Sequence, residues 1–239
     1  MFERNHHRHI ASVLGALNAP LLAEHACYFG GGTAMALRYN EYRESVDIDF
    51  LVSNLDGYRA LRQLLTGPEA LQTIARPGTV LKTLREVRAD QYGIRTIVQA
   101  EESAAQSDIQ AAIKFEIVLE GRIVLETPNT AEAICGIATL TPLDMATSKL
   151  LANSDRWADD SVFSRDLIDL AMMQPGKPLL RLAIEKSKTA YGDSITVDLA
   201  KARDRLMTRP GRLERCMQMM QMTVPKALVW QRLQALVIK

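Results

Sequence analysis

Two aspartates one residue apart, Asp47 and Asp49, stand in the run Ser45-Val46-Asp47-Ile48-Asp49-Phe50-Leu51-Val52, where they alternate with apolar residues. In an extended chain residues i and i+2 share a face, about 6.6 to 7 Å apart. Ile48, Phe50 and Val52 then point into a core, and the two carboxylates stand together on the other side. Paired carboxylates repel each other unless a cation is near. Hard oxygen donors of this kind suit Mg²⁺, or Mn²⁺ in its place, and such an ion also bridges nucleotide phosphates. A two-ion phosphoryl-transfer site commonly needs a further carboxylate on a neighbouring strand. Glu116 is placed for it: in Ile113-Lys114-Phe115-Glu116-Ile117-Val118-Leu119 the apolar residues take one face and leave Lys114 and Glu116 on the other. An ordinary solvent-facing Lys and Glu is the competing explanation.

Ahead of the aspartates lies Phe29-Gly30-Gly31-Gly32-Thr33-Ala34-Met35-Ala36-Leu37-Arg38. Glycines before a helix let the backbone approach a ligand closely, and the unpaired amides of the helix start suit phosphate oxygens. Alone the glycines signal only a turn. With the aspartates following, they form one unit.

The elements that must position this unit alternate in type. Ile10, Val13, Leu14, Leu17 and Leu21 predict a helix over residues 9–24, bent or cut short at Asn18-Ala19-Pro20. A short helix from Thr33 to about Tyr39 and an extended run from Val46 to Val52 follow. Between Thr79 and Ala100, two β-like segments flank the turn-like Ala89-Asp90-Gln91-Tyr92-Gly93. A further pair, 113–119 and 122–125, is joined at Glu120-Gly121, so a mixed sheet of about five strands is expected. After residue 127 helical patterns take over, at 143–153, 161–173, 179–190, 197–207 and 213–222. The expected division is a core over 1–127 and a helical domain over 128–239.

The chain has 239 residues, 47% hydrophobic and 24% charged, as in ordinary globular proteins. No stretch approaches the roughly 20 apolar residues of a membrane span, and the start lacks the apolar run of a signal peptide. A cytoplasmic protein without a membrane partner is expected. Three cysteines, odd in number and far apart, suggest neither a disulfide framework nor a zinc site and read as buried thiols. His6, His7 and His9 read as surface residues of a mobile terminus. No Walker lysine and no Ser/His/Asp order is present, which removes P-loop and serine-hydrolase chemistry. The net charge of +1 hides an asymmetry: from Lys177 onward 13 Lys or Arg face 5 Asp or Glu, leaving the preceding chain acidic. An acidic front concentrates cations, and a basic tail suits a polyanion such as RNA.

Glycines before a helix, then Asp-x-Asp on a strand, resemble the DNA polymerase β-like nucleotidyltransferase superfamily. The fuller strings Gly31-Gly32-Thr33-Ala34-Met35-Ala36-Leu37-Arg38-Tyr39 and Arg43-Glu44-Ser45-Val46-Asp47-Ile48-Asp49 resemble the AbiEii/AbiGii-type nucleotidyltransferase toxins of type IV toxin-antitoxin and phage-defence systems. So do Ser148-Lys149-Leu150-Leu151-Ala152 and Arg165-Asp166-Leu167-Ile168-Asp169-Leu170. The likeness spans roughly residues 25 to 175. It implies an α+β fold, with a small mixed-sheet nucleotidyltransferase core flanked by helices and an α-helical C-terminal domain.

The resemblance also implies that Asp47 and Asp49 bind metal, that Lys149 contacts the phosphates of an NTP, and that Asp166 or Asp169 belongs to the site. Gly30, Gly31, Gly32 and Thr33 are the expected nucleotide contacts, with Arg43 and Ser45 as further phosphate contacts. Arg156 and Arg165 are placed to pair with the two later aspartates, which would then serve packing only. The implied reaction is transfer of NMP to an acceptor hydroxyl, foremost the 3′ end of tRNA. A protein or small-molecule acceptor, an inactive binding module and a directly bound cognate antitoxin stay open.

Overall fold

The computed structural model describes residues 2–99 and 112–236 of the chain. It divides into two compact units, one formed by the residues up to Leu37 with Ser45–Thr141, the other by Arg38–Glu44 with the chain from Pro142 onward.

In the first unit, α1 (Asn5–Ala16) buries His7, Ile10, Val13 and Leu14. The chain breaks at Leu17, and the Asn18 side chain accepts a hydrogen bond from the Leu21 amide, capping α2 (Ala19–Glu24) with Pro20 in its first turn. The bend expected at Asn18 thus separates two helices. His7 corrects the reading of the histidines as surface, since it is fully buried. Its spacing of three and seven residues from Ile10 and Leu14 puts it on the apolar stripe.

There follow β1 (Tyr28–Gly30), α3 (Gly31–Arg38), β2 (Ile48–Val52), α4 (Leu55–Leu65), β3 (Lys82–Thr83), β4 (Arg88–Ala89), β5 (Gly93–Gln99) and β6 (Ala112–Leu119). The sheet runs β1-β2-β6-β5-β3, with β4 also on β5. Among the described strands of this sheet β2 and β6 pair in parallel and the other pairs are antiparallel, so the sheet is mixed. One face carries Phe29, Ile48, Phe50, Phe115 and Ile117, each at most 1% exposed. Phe50 lies 5.7 Å from Phe29 and 5.6 Å from Phe115, ring centre to ring centre. The expected turn before β5 is present: the Asp90 carboxylate accepts from the amides of Tyr92 and Gly93 at 2.7 and 2.9 Å.

Three expectations change. The strand predicted from Val46 begins at Ile48, because its ladders end at Gly30↔Asp49 and Ile48↔Phe115, leaving Asp47 just ahead of it. No strand forms over 122–125. There Glu120 accepts from the Arg122 amide and from its guanidinium at 2.7 to 2.9 Å, curling the chain, and the Leu125 amide bonds the Ser53 hydroxyl. The first unit also continues past residue 127 to Thr141. After a small hairpin, β7 (Ala133–Ile134) and β8 (Ile137–Ala138), the Leu140 amide returns to the Phe29 carbonyl at 3.0 Å. Cys135, in the hairpin turn, is exposed, unlike the buried Cys27 and Cys216.

The second unit is helical. α5 (Pro142–Arg156) packs against α6 (Arg165–Met173), α7 (Lys177–Tyr191) and α8 (Ser194–Thr208). α9 (Arg212–Met219) and α10 (Lys226–Ala235) complete it, and α10 was not anticipated. The expected helix start at Ser161 is displaced, because Phe163 and Ser164 adopt left-handed backbone (φ 52° each) before α6 begins. The α+β class agrees with expectation. No helix among the described residues is long and apolar enough to cross a membrane.

Candidate active site

In the first unit the register lines up Gly30, Asp49, Glu116 and Arg95 across four strands, on the face opposite the phenylalanines. Gly31, the first residue of α3, has φ +68°, a conformation that glycine adopts at little cost. A Cβ there would overlap Asp49 Oδ2 and stand 2.9 Å from Asp49 Cβ. The half-buried Asp49 carboxylate is therefore pressed against the start of α3, where backbone amides favour negative charge. Gly30 has another reason to be glycine: a side chain would collide with Leu51 and Leu140 at 2.6 and 2.8 Å. In α3 the buried Thr33 donates its hydroxyl to Ser45 Oγ at 2.8 Å, and the Ser45 amide donates to His7 Nε2 at 3.2 Å. These bonds fix the segment leading into Asp47. Sequence reasoning missed His7 in this role, although its helical spacing was there to be read.

Glu116 stands beside Asp49, as expected of a third carboxylate, but both its oxygens are engaged. Arg95 Nε donates to Oε1 at 2.5 Å and Lys114 Nζ to Oε2 at 2.6 Å. Burial pushes the Glu116 carboxyl up, and the bonds from Lys114 and Arg95 outweigh it, holding the group below the ordinary value. Lys114 is held above its ordinary value against burial, by Glu116 first and then by Asp49 and Asp47. One ammonium thus senses all three carboxylates. Among the described residues no group of three or more His, Cys, Asp or Glu is arranged to hold a metal ion by itself. Two carboxylates at alternate positions still fit Mg²⁺, which keeps several waters and takes its other ligands from substrate phosphates.

In the second unit Lys149 of α5 reaches both aspartates of α6, lying 2.7 Å from Asp169 Oδ2 and 3.2 Å from Asp166 Oδ1. Asp169, fully buried, also accepts from Arg43 Nε at 2.7 Å, Arg43 Nη2 at 2.9 Å and the Tyr42 hydroxyl at 2.5 Å. Asp166 accepts from Arg156 Nε at 2.7 Å and Nη2 at 3.0 Å. Three cations thus share two anions. For Asp169 burial would raise the carboxyl, yet Arg43 and Lys149 hold it far below the ordinary range. Asp166 is likewise lowered against burial, by Lys149 and then Arg156.

Arg43, expected at phosphate, is instead buried and bidentate on Asp169. Arg156 pairs with Asp166, the packing alternative that the sequence offers. Arg165 is exposed. The expected basic tail is partly neutralised within the unit, since Arg205 and Arg212 both pair with Asp160.

A family model described as nucleotidyl transferase AbiEii toxin, type IV TA system, matches residues 12–237. No curated protein matches the chain. Two Helicobacter pylori crystal structures, a candidate nucleotidyltransferase and JHP933, each align at 17% identity with a TM-score of 0.45. The alignments cover 98% and 99% of this chain and 97% and 95% of theirs, a likeness too distant to bear on activity.

Proposed function

The chain belongs to the nucleotidyl transferase AbiEii toxin family of type IV toxin-antitoxin systems, and on that premise we propose that it transfers NMP from an NTP to the 3′ hydroxyl of an RNA, foremost tRNA. The observation that carries this is the Asp49 carboxylate packed against Gly31 at the start of α3, with Asp47 two residues before it. Asp47 and Asp49 are the residues that would hold Mg²⁺ or Mn²⁺. When bound, the ion supplies Lewis-acid stabilisation of phosphate charge and lowers the pKa of the attacking hydroxyl.

The amides of Gly31, Gly32 and Thr33 offer donors to NTP phosphate oxygens. Ser45, fixed by Thr33 and His7, keeps the approach to Asp47 in one conformation. Lys149 adds a compact positive charge for the phosphates. Asp166 and Asp169 hold its ammonium, and Arg43 and Arg156 hold the aspartates. The acceptor oxygen bonds to the α-phosphorus, and pyrophosphate leaves with the electron pair of the broken P–O bond. The hydroxyl proton is lost to water. Glu116, neutralised by Arg95 and Lys114, tunes the charge beside Asp49.

Growth arrest by such an activity, relieved by a cognate antitoxin and deployed against phage in the cytoplasm, is the biological setting proposed. The test incubates the purified protein with each α-labelled NTP in turn, Mg²⁺ and total RNA, and then locates the label. Label in RNA is expected. Label only in protein or in a small molecule such as an aminoglycoside overturns the RNA acceptor and keeps the chemistry. No transfer with any NTP favours an inactive binding module.

A further inference from the structure

The second unit contains a pocket of about 510 Å³ that the chemistry above does not use. Arg209, Arg212 and Arg215 line it, with Phe163, Gly211 and Asp160. Three guanidiniums against one carboxylate leave it with a surplus of two positive charges. Asp160 is the partner of Arg212 and Arg205, which leaves the exposed Arg209 and Arg215 as its outward cations. α9 opens into it behind Gly211 (φ +72°), with no side chain capping its first turn. Phe163 is half-buried, held in left-handed backbone three residues before Asp166. Arg212 Nη2 reaches the Ser164 hydroxyl at 3.4 Å, joining the pocket to the start of α6.

We propose that this pocket binds one unpaired nucleotide of the RNA acceptor, its phosphate among Arg209, Arg212 and Arg215 and its base against Phe163. The proposal rests on the reading of RNA as acceptor. Planar guanidinium forks match phosphate oxygens, and an aromatic ring beside cations is how single strands are held without reading sequence. A volume within the roughly 300–1,000 Å³ range of ligand pockets accommodates a nucleotide. The position three residues from Asp166 puts this grip next in the chain to the Lys149 cluster.

The test measures binding of a short labelled single-stranded RNA at several salt concentrations, and NTP binding by calorimetry, for the native chain and two variants. Arg209→Ser/Arg215→Ser changes two exposed side chains and leaves the Asp160 pairs intact. It is expected to weaken RNA binding about tenfold or more and to reduce the salt slope by up to about 0.7, the share of one single-strand phosphate. Phe163→Leu keeps an apolar side chain and is expected to weaken RNA binding about fivefold or more without changing the slope. NTP affinity stays native in both. Unchanged RNA affinity and slope in the double variant overturn the pocket. Loss of NTP binding in either variant also overturns it, by assigning the pocket to the donor nucleotide. If the native chain binds NTP but no RNA, the pocket and the RNA acceptor both fail while nucleotidyl transfer stands.

Discussion

Replacing Lys149 with Met separates a functional lysine from a structural one. Lys149 is the cation in surplus: without it, Asp169 keeps both Arg43 bonds and the Tyr42 hydroxyl, and Asp166 keeps both Arg156 bonds. The two charge-assisted bonds lost are worth about 1.5–3 kcal/mol each. Relief from burying an ammonium, itself several kcal/mol, offsets most of that. Methionine fills the vacated volume. The expected net cost is within about 2 kcal/mol. Asp169→Asn is the contrast, because it strips the buried Arg43 of its carboxylate and leaves Arg43, Lys149 and Arg156 with Asp166 as their one anion in the cluster, and breaking a buried pair costs about 3–5 kcal/mol. At roughly 2–4 °C per kcal/mol for a chain of this size, thermal unfolding should separate the variants, with a few degrees lost for Lys149→Met and about 10 °C for Asp169→Asn. Calorimetric titration with a non-hydrolysable NTP should then show weakened binding in the still-folded Lys149→Met protein. Equal destabilisation by the two substitutions would make Lys149 a structural partner. Native NTP affinity in Lys149→Met would remove it from the phosphate site.

Asp47→Ala and Asp49→Ala should each reduce transfer by several orders of magnitude while the protein stays folded by circular dichroism; activity near native in either would overturn the metal assignment. Gly31→Ala forces a side chain into left-handed backbone and into the Asp49 carboxylate, so a stability loss of about 1–3 kcal/mol in urea unfolding should accompany loss of transfer. Asp166 and Asp169 titrate below their ordinary value in the fold, so the stability they contribute is complete above the unfolded value, about 3.9, and is lost as pH falls through the folded value. Urea unfolding between pH 3 and 6 should therefore show their contribution unchanged down to about pH 4, and Asp169→Asn should flatten the decline below it. Expression of the native chain in a bacterial host should arrest growth, and expression of Asp49→Ala should not; equal arrest by both would separate toxicity from the proposed site.

Much of the first unit was legible because its signals are local. The alternation of Ile48, Phe50 and Val52 with aspartates fixes a face, and the register places Glu116 beside Asp49 on that same face. What sequence could not supply was the pairing of side chains distant in the chain. Nothing in 113–119 reveals that Arg95 and Lys114 occupy both oxygens of Glu116. Nor does the position of Arg43 just before the aspartates reveal that its guanidinium faces a residue 126 positions later. The missing strand at 122–125 has a similar origin, since Glu120 diverts the backbone through a local side-chain bond that outcompetes ladder pairing. The Lys149, Asp166 and Asp169 spacing is readable as helix faces and the Arg156 partner as a neighbour along the chain, whereas the burial of Asp169 against Arg43 is not.

The central claim is that this chain moves a nucleotidyl group with Asp47 and Asp49, and one paired-label assay tests it most directly. The same NTP is supplied once labelled on the α-phosphate and once on the γ-phosphate, with Mg²⁺ and total RNA, to the native chain and to Asp49→Ala. The α label should pass to RNA and the γ label should leave in pyrophosphate, with both events absent from the variant. Transfer of the γ label to the acceptor, or equal α transfer by Asp49→Ala, would contradict the account.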